Sequence, residues 1–256
     1  NTNTIQPSII LWGGYRMSHD IAVIGNGCAA LSLAAKAEQL PDYNLTLIRP
    51  NDAPKSKDHV WGFWSDKTLE DAVKLAKGTW HQWAVITPKK HTIMSSTSMP
   101  YNAIKRSDWT AHCQSLAQSS GVKIIDQEDW QMEDNSTVFD TRPPVVPDEC
   151  ILQHFHGLEI KTNTPVFDAN TAILMDFRVD QSKGMHFIYL LPYSTTEALV
   201  ESTIFSTNLA DEQFYLSAIE NYLAEHYQVE KYEITHREKG IIPLCLLYTS
   251  PSPRDS

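Results

Sequence analysis

The sequence of 256 residues is poor in cysteine and in basic residues, and each shortage narrows what the chain can be. The four cysteines, Cys28, Cys113, Cys150 and Cys245, form no CxxC pair and no zinc-ligand spacing, and they are too few for a disulfide framework. Lys and Arg number 21 against 31 Asp and Glu, and the resulting net charge of −10 argues against nucleic acid as a partner. No apolar run of about 18 residues predicts a spanning helix, and no signal peptide is visible. These absences favour a cytoplasmic protein that acts on a small molecule.

Both ends of the chain are predicted to lie outside the fold. Residues 1–16 show no clear periodicity and are interpreted as a non-native leader before Met17. Residues 245–255 resemble the conceptual translation of a sequencing adapter, so 245–256 is predicted to be an adapter-derived tail on a C-terminally truncated chain. An ordinary disordered tail rich in Ser and Pro is the alternative.

A short apolar stretch followed by glycines predicts a dinucleotide-binding unit near the start of the fold. Residues 19–24 are typical of a strand, 31–39 of a helix and 44–48 of a second strand. Gly25 permits the tight turn between strand and helix, and Gly27 lets a pyrophosphate approach the N–H groups at the helix N-terminus. The alternative is a turn that needs glycine only for packing. The predicted cofactor-binding segment is Gly25, Asn26, Gly27, Cys28, Ala29 and Ala30.

Two positions depart from the usual dinucleotide pattern. Ala30 stands in place of the third glycine, which is a tolerated variant. Arg49 follows the second strand where an acid for the ribose hydroxyls is expected; it is included among the predicted cofactor-binding residues, although its exact nucleotide contact is open.

Aromatic residues are concentrated just after this unit. They fall within residues 59–64, and Trp80 and Trp83 follow. Tryptophans most often fill cores, but a cluster also suits a pocket for a long apolar ligand or for a cation. The predicted substrate-pocket residues are His59, Trp61, Phe63 and Trp64.

The pattern of the second half predicts an antiparallel sheet. The sequence thus divides into a nucleotide-binding part, 17–147, and a substrate-side part, 148–244. In the first part 107–118 reads as a helix, and 121–126 and 136–139 read as strands. In the second part a helix is predicted at 211–227, and strands are predicted at 151–160, 173–180, 185–191, 198–205 and 231–236.

One carboxylate lies inside an otherwise apolar strand of this second part. Glu201 shares a strand face with Leu199 and Phe205. An isolated buried charge is so costly that the group takes up a proton instead, so Glu201 is a candidate for a neutral acid that donates a proton. The alternatives are a Glu paired with Arg or Lys, and a Glu exposed on an edge strand.

No metal site is predicted. His154 and His156 lie two residues apart on one strand, but no third ligand has a persuasive spacing. Both are interpreted as polar residues of a half-exposed strand.

Several ordered motifs resemble the flavoprotein lycopene cyclases of carotenoid biosynthesis, in their bacterial β-cyclase form. The motifs of the second half are 153–157 (QHFHG), 165–168 (PVFD), 174–178 (LMDFR), 187–192 (FIYLLP) and 198–201 (ALVE). The Gly25 turn, 61–64 (WGFW), 139–142 (FDTR) and 237–243 (REKGIIP) fall in the expected order. The resemblance covers nearly all of residues 17–244.

The resemblance implies a fold and a reaction. The fold is mixed α/β: a Rossmann-like FAD/NAD(P)-binding domain with an antiparallel-sheet substrate domain. The activity is an isomerase reaction that closes lycopene ends into β-ionone rings, using reduced FAD, with NAD(P)H as reductant, and no net redox change. Glu201 matches the essential acid of the family, and Asp140 and Arg142 join the cofactor-binding residues.

The same resemblance implies a location and leaves alternatives open. The substrate is taken from the membrane, so a cytoplasmic protein held peripherally at the inner face is expected. An FAD-dependent monooxygenase or other oxidoreductase on an apolar substrate is one alternative, and a non-catalytic flavin or carotenoid carrier is another. The residues do not distinguish a β from an ε ring, or one cyclised end from two.

Overall fold

The structure is a computed structural model and describes residues 19–51, 58–131, 137–143 and 150–244. The predicted leader and tail lie outside the described residues. The strands are β1 His19–Ile24, β2 Tyr43–Arg49, β3 Val60–Trp64, β4 Gly78–Trp80, β5 Gln82–Thr87, β6 Lys90–Ser95, β7 Tyr101–Lys105, β8 Lys123–Asp126, β9 Thr137–Asp140, β10 Leu152–Lys161, β11 Thr171–Asp176, β12 Met185–Pro192, β13 Glu197–Ser206 and β14 Glu233–Pro243. The α-helices are α1 Cys28–Ala34, α2 Glu70–Lys74, α3 Arg106–Ser119 and α4 Glu212–Tyr227, and single 3₁₀ turns occupy Ala37–Gln39, Lys67–Leu69 and Gln127–Asp129.

One compact unit, formed by the described residues within 19–51 and 110–142, contains a parallel sheet of four strands. The strand order is β8-β2-β1-β9, and each pairing is parallel. The central strands read as continuous apolar runs because such a sheet is covered on both faces, and Val23 and Ile48 are fully buried. This unit is the predicted Rossmann-like arrangement of strand, glycine turn, helix and strand.

The other compact unit, formed by the described residues within 58–109 and 143–244, is built on a sheet of seven strands in the order β14-β10-β13-β12-β11-β5-β6. All its pairings are antiparallel except that of β11 with β5. A smaller antiparallel sheet, β3-β7-β4, belongs to the same unit.

The two faces of the seven-stranded sheet pack against different elements. On one face, α4 buries Ile219 and Leu223 against Leu158 and Val200. On the other face, Leu191 and Leu199 pack against Trp80, Tyr101 and Ala103 of the three-stranded sheet. Because side chains alternate along a strand, Leu199 and Glu201 point away from α4 and toward the smaller sheet.

The mixed α/β fold class with parallel and antiparallel sheets is confirmed. Several details differ from the sequence-based expectation: the strands β3 to β7 were not predicted, and the first helix is Cys28–Ala34 rather than 31–39. The compact units place 55–109 with the antiparallel sheet, whereas the sequence division put these residues in the nucleotide-binding part. The last strand runs to Pro243 rather than to His236. Its charged stretch 237–239 does not interrupt the strand, because it pairs along its length with β10.

Candidate functional site

Glu201 lies in a row of side chains that crosses four neighbouring strands. Its pairing partners are Tyr189 on β12 and Gly157 on β10. Gly157 in turn pairs with Glu238 on β14. Directly opposed residues of a sheet share one face, so this face carries two carboxyl groups with a glycine between them.

Glu201 is a buried acid without a basic partner in the described structure. Its residue is 9% exposed, and Thr203 Oγ1 donates a hydrogen bond of 2.5 Å to Oε1. Burial raises the pKa of Glu201 to about 8, the negative charge of Glu238 adds to the rise, and the Thr203 hydrogen bond opposes it. The carboxyl group is therefore protonated at neutral pH. The sequence-based alternatives of a salt-bridged Glu and of an edge-strand Glu do not describe this position.

Glu238 is the second buried carboxyl group of the row. Its residue is 4% exposed, and its Oε2 accepts a hydrogen bond of 3.0 Å from the Val60 backbone N–H. Within the described residues, Oε1 is buried and has no hydrogen-bond partner. Burial raises the pKa of Glu238 to about 7, and the Val60 hydrogen bond opposes that rise.

Tyrosines and an ion pair surround the two carboxyl groups. Tyr101 of the three-stranded sheet and Tyr189 share a hydrogen bond of 2.5 Å between their hydroxyl oxygens. Lys77 Nζ lies 2.5 Å from Glu159 Oε1 and 4.2 Å from the centre of the Tyr193 ring. The Lys77 ammonium group is thus already paired with Glu159, while an acid is kept neutral beside aromatic rings. Such an arrangement is suited to proton donation and to holding a positive charge against ring faces.

The predicted pocket aromatics separate onto two sides of β3. The Trp64 ring lies 4.8 Å from that of Tyr101, so it belongs to the surroundings of the carboxyl row. Trp61 and Phe63 occupy the opposite face of the strand by alternation. Trp61 Nε1 donates to His59 Nε2 at 2.8 Å, and His59 also lines a polar cavity of about 250 Å³ with Asp58, Glu159 and His236. Of the four, Trp64 is the one whose ring contacts Tyr101, and it is 45% exposed.

The glycine turn of the parallel sheet has the backbone that a dinucleotide needs. Gly25 has a φ of 148°, and a Cβ atom there would overlap with Thr141 Oγ1, so only glycine fits without strain. A Cβ at Gly27, by contrast, would meet no atom within 4 Å. Gly27 caps α1 without a side-chain hydrogen bond, and the first turn carries no acid. The exposed residues of this segment are Asn26, Gly27, Cys28 and Ala29, while Gly25 and Ala30 are buried.

The other predicted cofactor residues lie at the same edge of the parallel sheet. Arg49 ends β2 and Asp140 ends β9, next to Ile24 of β1. Arg49 Nε lies 3.0 Å from Asp126 Oδ1, and Arg142 binds the Asp140 carboxylate through Nε and Nη2. Ligands of open parallel sheets bind outside the carboxyl ends of the strands, so the structure brings these residues to the appropriate edge.

His154 and His156 make contacts with protein groups that explain them without a ligand. His154 is hydrogen-bonded to the Tyr215 hydroxyl at 2.6 Å and to the Ser206 hydroxyl at 2.9 Å. The His156 ring stacks on Tyr215 with a centroid distance of 4.6 Å. Burial lowers the pKa of both histidines. His154 is buried rather than half-exposed.

Sequence reasoning missed Glu238, Tyr101, Tyr189 and the Lys77–Glu159 pair. Glu238 lies between Arg237 and Lys239, and such a charged run is typical of a solvent-facing segment. The signal that was present is the period of two in β14, which puts Glu238 on the inward face while both neighbours are exposed.

Comparisons with known proteins identify the family of the chain. The family model described as lycopene cyclase protein matches residues 20–252. A lycopene beta-cyclase from Paracoccus sp. (strain N81106 / MBIC 01143) is 26% identical over 252 residues, which cover 91% of this chain and 63% of that protein. A lycopene beta-cyclase from Pantoea ananas is 25% identical over 248 residues, with 89% and 63% covered. The chain therefore spans 63% of the length of these curated relatives.

Solved structures share the fold at low sequence identity. A geranylgeranyl bacteriochlorophyll reductase-like protein from Thermoplasma acidophilum superposes with a TM-score of 0.57 at 12% identity, covering 88% of this chain and 66% of that chain. The tetrameric form of 2-methyl-3-hydroxypyridine-5-carboxylic acid oxygenase gives 0.57 at 12%, with 89% and 72% covered. A flavin-dependent halogenase from Xanthomonas campestris gives 0.57 at 9%, with 89% and 62% covered. The family model matches most of the chain, and the chain belongs to the lycopene cyclase protein family.

Proposed function

We propose that the protein is an FAD-dependent lycopene cyclase that closes acyclic carotenoid ends into β-ionone rings, with Glu201 as the proton donor. The observation that carries the proposal is the buried Glu201 carboxyl group, whose pKa is raised to about 8 in a chain of the lycopene cyclase family. The β-type ring is supported by the names of the two curated relatives.

The reaction is a rearrangement in which atoms and electrons balance within the substrate. The Glu201 O–H adds its proton to a terminal alkene carbon, and the resulting tertiary cation is attacked by a second alkene to close the ring. A different proton then leaves the ring to solvent, from which the Glu201 carboxylate regains a proton, so the product has the mass of the substrate. An alkene is a very weak base, and the donor must be dry and positioned. Glu201 meets both needs, because it is buried and its Oε1 accepts from Thr203.

A cationic intermediate requires electron-rich neighbours. Tyr101, Tyr189 and Tyr193 lie close enough to Glu201 to interact with its charge, and the faces of their rings attract positive charge. When bound, reduced FAD would supply a further negative charge for the cation. The Gly25 turn and the exposed start of α1 would hold its pyrophosphate, and NAD(P)H is the proposed reductant.

The decisive experiment replaces the carboxyl group in a lycopene-accumulating host. Glu201→Gln removes the proton donor at nearly constant shape, and we expect β-carotene formation to be lost. Glu197→Gln on the same strand is the matched control, because Glu197 is about half-exposed and paired with Lys161; it is expected to leave product formation intact. The pigments are separated by chromatography, and their molecular masses are determined by mass spectrometry.

Each outcome of this experiment has a distinct meaning. Cyclised product from the Glu201→Gln variant would end the proposal. A product whose mass is higher by an oxygen would favour the monooxygenase alternative. Carotenoid or flavin bound without turnover, in wild type and variant alike, would favour a carrier.

Peripheral contact with a membrane is part of the proposal. No helix among the described residues is both long and apolar enough to span a bilayer. Large apolar side chains are exposed where β10 begins and β14 ends, and further ones lie near the paired ends of β12 and β13. They are Ile151, Met185, Leu209, Ile241, Ile242 and Leu244. We expect flotation with phosphatidylglycerol vesicles, weakened by Ile241→Glu with Ile242→Glu; equal flotation of both proteins would contradict this surface.

A further inference from the structure

We propose that Glu238 is a positioning residue for Glu201: its carboxylate, facing Glu201 across the gap left by Gly157, keeps the Glu201 carboxyl group protonated. The effect of Glu238 on catalysis rests on the proposed function, whereas the electrostatic coupling between the two carboxyl groups does not. Glu238 acts through Glu201 and not by contact with the substrate.

The geometry of the row carries this inference. Gly157 pairs with Glu201 on one side and with Glu238 on the other, so the two glutamates are two strand spacings apart. Neighbouring strands are about 4.8 Å apart, which puts the two Cα atoms roughly 9.6 Å apart. A glycine between them leaves no side chain to separate the carboxyl groups.

The position of Glu238 is fixed by its contacts. Its Oε2 accepts the Val60 N–H, and a Cβ atom at Gly157 would lie 2.9 Å from Glu238 Cγ and 3.2 Å from Oε1. The side chain therefore lies over Gly157, on the path toward Glu201. Its Oε1 is buried without a partner among the described residues, so no hydrogen bond there stabilises the charge on this oxygen.

Other charged or titratable groups face the pair less directly. Glu159 on β10 is bound by Lys77, and Asp58 accepts hydrogen bonds from the backbone N–H and hydroxyl of Ser107. The tyrosines around Glu201 keep their protons, because burial raises the pKa of each. The titratable groups around the pair are Asp58, Lys77, Tyr101, Glu159, Tyr189, Tyr193 and His236. Glu238 is the carboxylate whose charge raises the pKa of Glu201.

A purely structural role for Glu238 makes a different prediction. If Glu238 only satisfies the Val60 N–H, then Glu238→Gln should change nothing at Glu201, because the Gln carbonyl also accepts that hydrogen bond. If Glu238 acts through its charge, the same variant should make Glu201 a stronger acid.

The test is a pH titration of Glu201 in protein labelled with ¹³C at the glutamate carboxyl carbon. The Glu201 signal is assigned by its absence from Glu201→Gln. For Glu238→Gln we expect the midpoint of Glu201 to fall by about one pH unit, as a like charge about 10 Å away acts at an effective dielectric constant of 20. Glu233→Gln removes an exposed charge from the same strand and is expected to leave the midpoint in place.

A second variant keeps the test decisive if Glu238→Gln does not fold. Glu238→Ala also removes the charge, so it should lower the midpoint of Glu201 by about the same amount. An unchanged Glu201 midpoint in whichever of the two variants folds would overturn the inference.

The activity assay separates this inference from the proposed function. In Glu238→Gln, the loss of cyclisation at alkaline pH should begin about one pH unit lower than in wild type, because Glu201 loses its proton earlier. If Glu238→Gln loses activity at the same alkaline pH as wild type, while Glu201→Gln is inactive, the role of Glu238 alone would be overturned. Retained activity in Glu201→Gln would overturn the proposed function and leave the titration result standing.

Discussion

Tyr101 and Tyr189 join the two sheets of the second unit through a hydrogen bond of 2.5 Å between their hydroxyl oxygens. The contact lies beside Glu201, which is the strand partner of Tyr189. It also explains Gly62 on β3, where a Cβ atom would overlap with the Tyr101 hydroxyl. A glycine at position 62 therefore leaves room for the hydrogen bond that joins the three-stranded sheet to the seven-stranded sheet.

Removing one of these hydroxyl groups should destabilise the protein. Tyr189→Phe leaves the buried Tyr101 hydroxyl without its partner, and we expect the free energy of unfolding to fall by about 1–3 kcal/mol. The measurement is urea unfolding followed by tryptophan fluorescence. In a protein that already carries Tyr101→Phe, Tyr189→Phe should lower the free energy of unfolding clearly less, because no Tyr101 hydroxyl is then left without a partner. Equal costs in the two backgrounds would mean that the hydrogen bond is not formed.

Replacement of the two glycines of the nucleotide turn by alanine should have different effects: Gly25→Ala should lower stability, and Gly27→Ala should weaken flavin binding. Gly25→Ala introduces a Cβ that overlaps with Thr141 Oγ1 at a φ of 148°, so we expect a loss of stability of about 1–3 kcal/mol. Gly27→Ala meets no atom of the protein within 4 Å and should fold like wild type. It should nevertheless weaken flavin binding, because its methyl group occupies the space through which a pyrophosphate approaches the backbone.

Visible absorbance of bound flavin and thermal unfolding together check this pair of variants. Gly27→Ala protein that is folded and binds flavin as tightly as wild type would contradict the placement of the cofactor at this turn.

The parallel unit could be predicted from sequence because its signals are local. A strand, a glycine turn and a helix within residues 19–39 specify their own geometry, and Gly25 adopts the positive φ that its residue type allows. The apolar strand around Glu201 was predictable for the same reason, since alternation along β13 shows which residues share its face.

The partners of Glu201 could not be predicted, because they come from other strands. Which strand lies beside β13, and in which register, depends on pairings between residues tens of positions apart. Glu238 and Gly157 meet only through the register of β10 with β14. Charged neighbours in sequence made Glu238 resemble a surface residue, although the pleat turns it inward while Arg237 and Lys239 are exposed.

The stability of the protein should fall between about pH 5 and pH 8, and Glu201 should be a main cause. The pKa of Glu201 is raised from 4.5 to about 8 in the folded state, so the folded protein holds a proton that the unfolded chain has released. Stability is therefore full below the unfolded pKa and is lost as the pH rises through the folded pKa. Glu238, with a pKa of about 7, contributes in the same direction.

Glu201→Gln should flatten this dependence. A neutral amide does not titrate, so the variant should not lose stability as Glu201 ionises. Between pH 5 and pH 8 the free energy of unfolding of the variant should therefore rise relative to that of wild type by a few kcal/mol, on the order expected for a pKa shift of several units. Urea midpoints at four pH values measure it, with Glu197→Gln as the control. Parallel curves for Glu201→Gln and wild type would show that Glu201 titrates normally.

A side chain at position 157 should lower the stability of the protein while Glu238 is present. In Gly157→Ala the new methyl group would lie 2.9 Å from Glu238 Cγ and 3.3 Å from Leu199 Cδ1, and neither neighbour has free space in this buried layer. We expect a loss of about 1–3 kcal/mol, as for other overpacked cores. Replacing Glu238 by Ala first removes the nearer obstacle, so Gly157→Ala should then cost at most half as much. If the two changes are additive in urea unfolding, the Glu238 side chain does not lie over Gly157, and the gap through which the two carboxyl groups face each other does not exist.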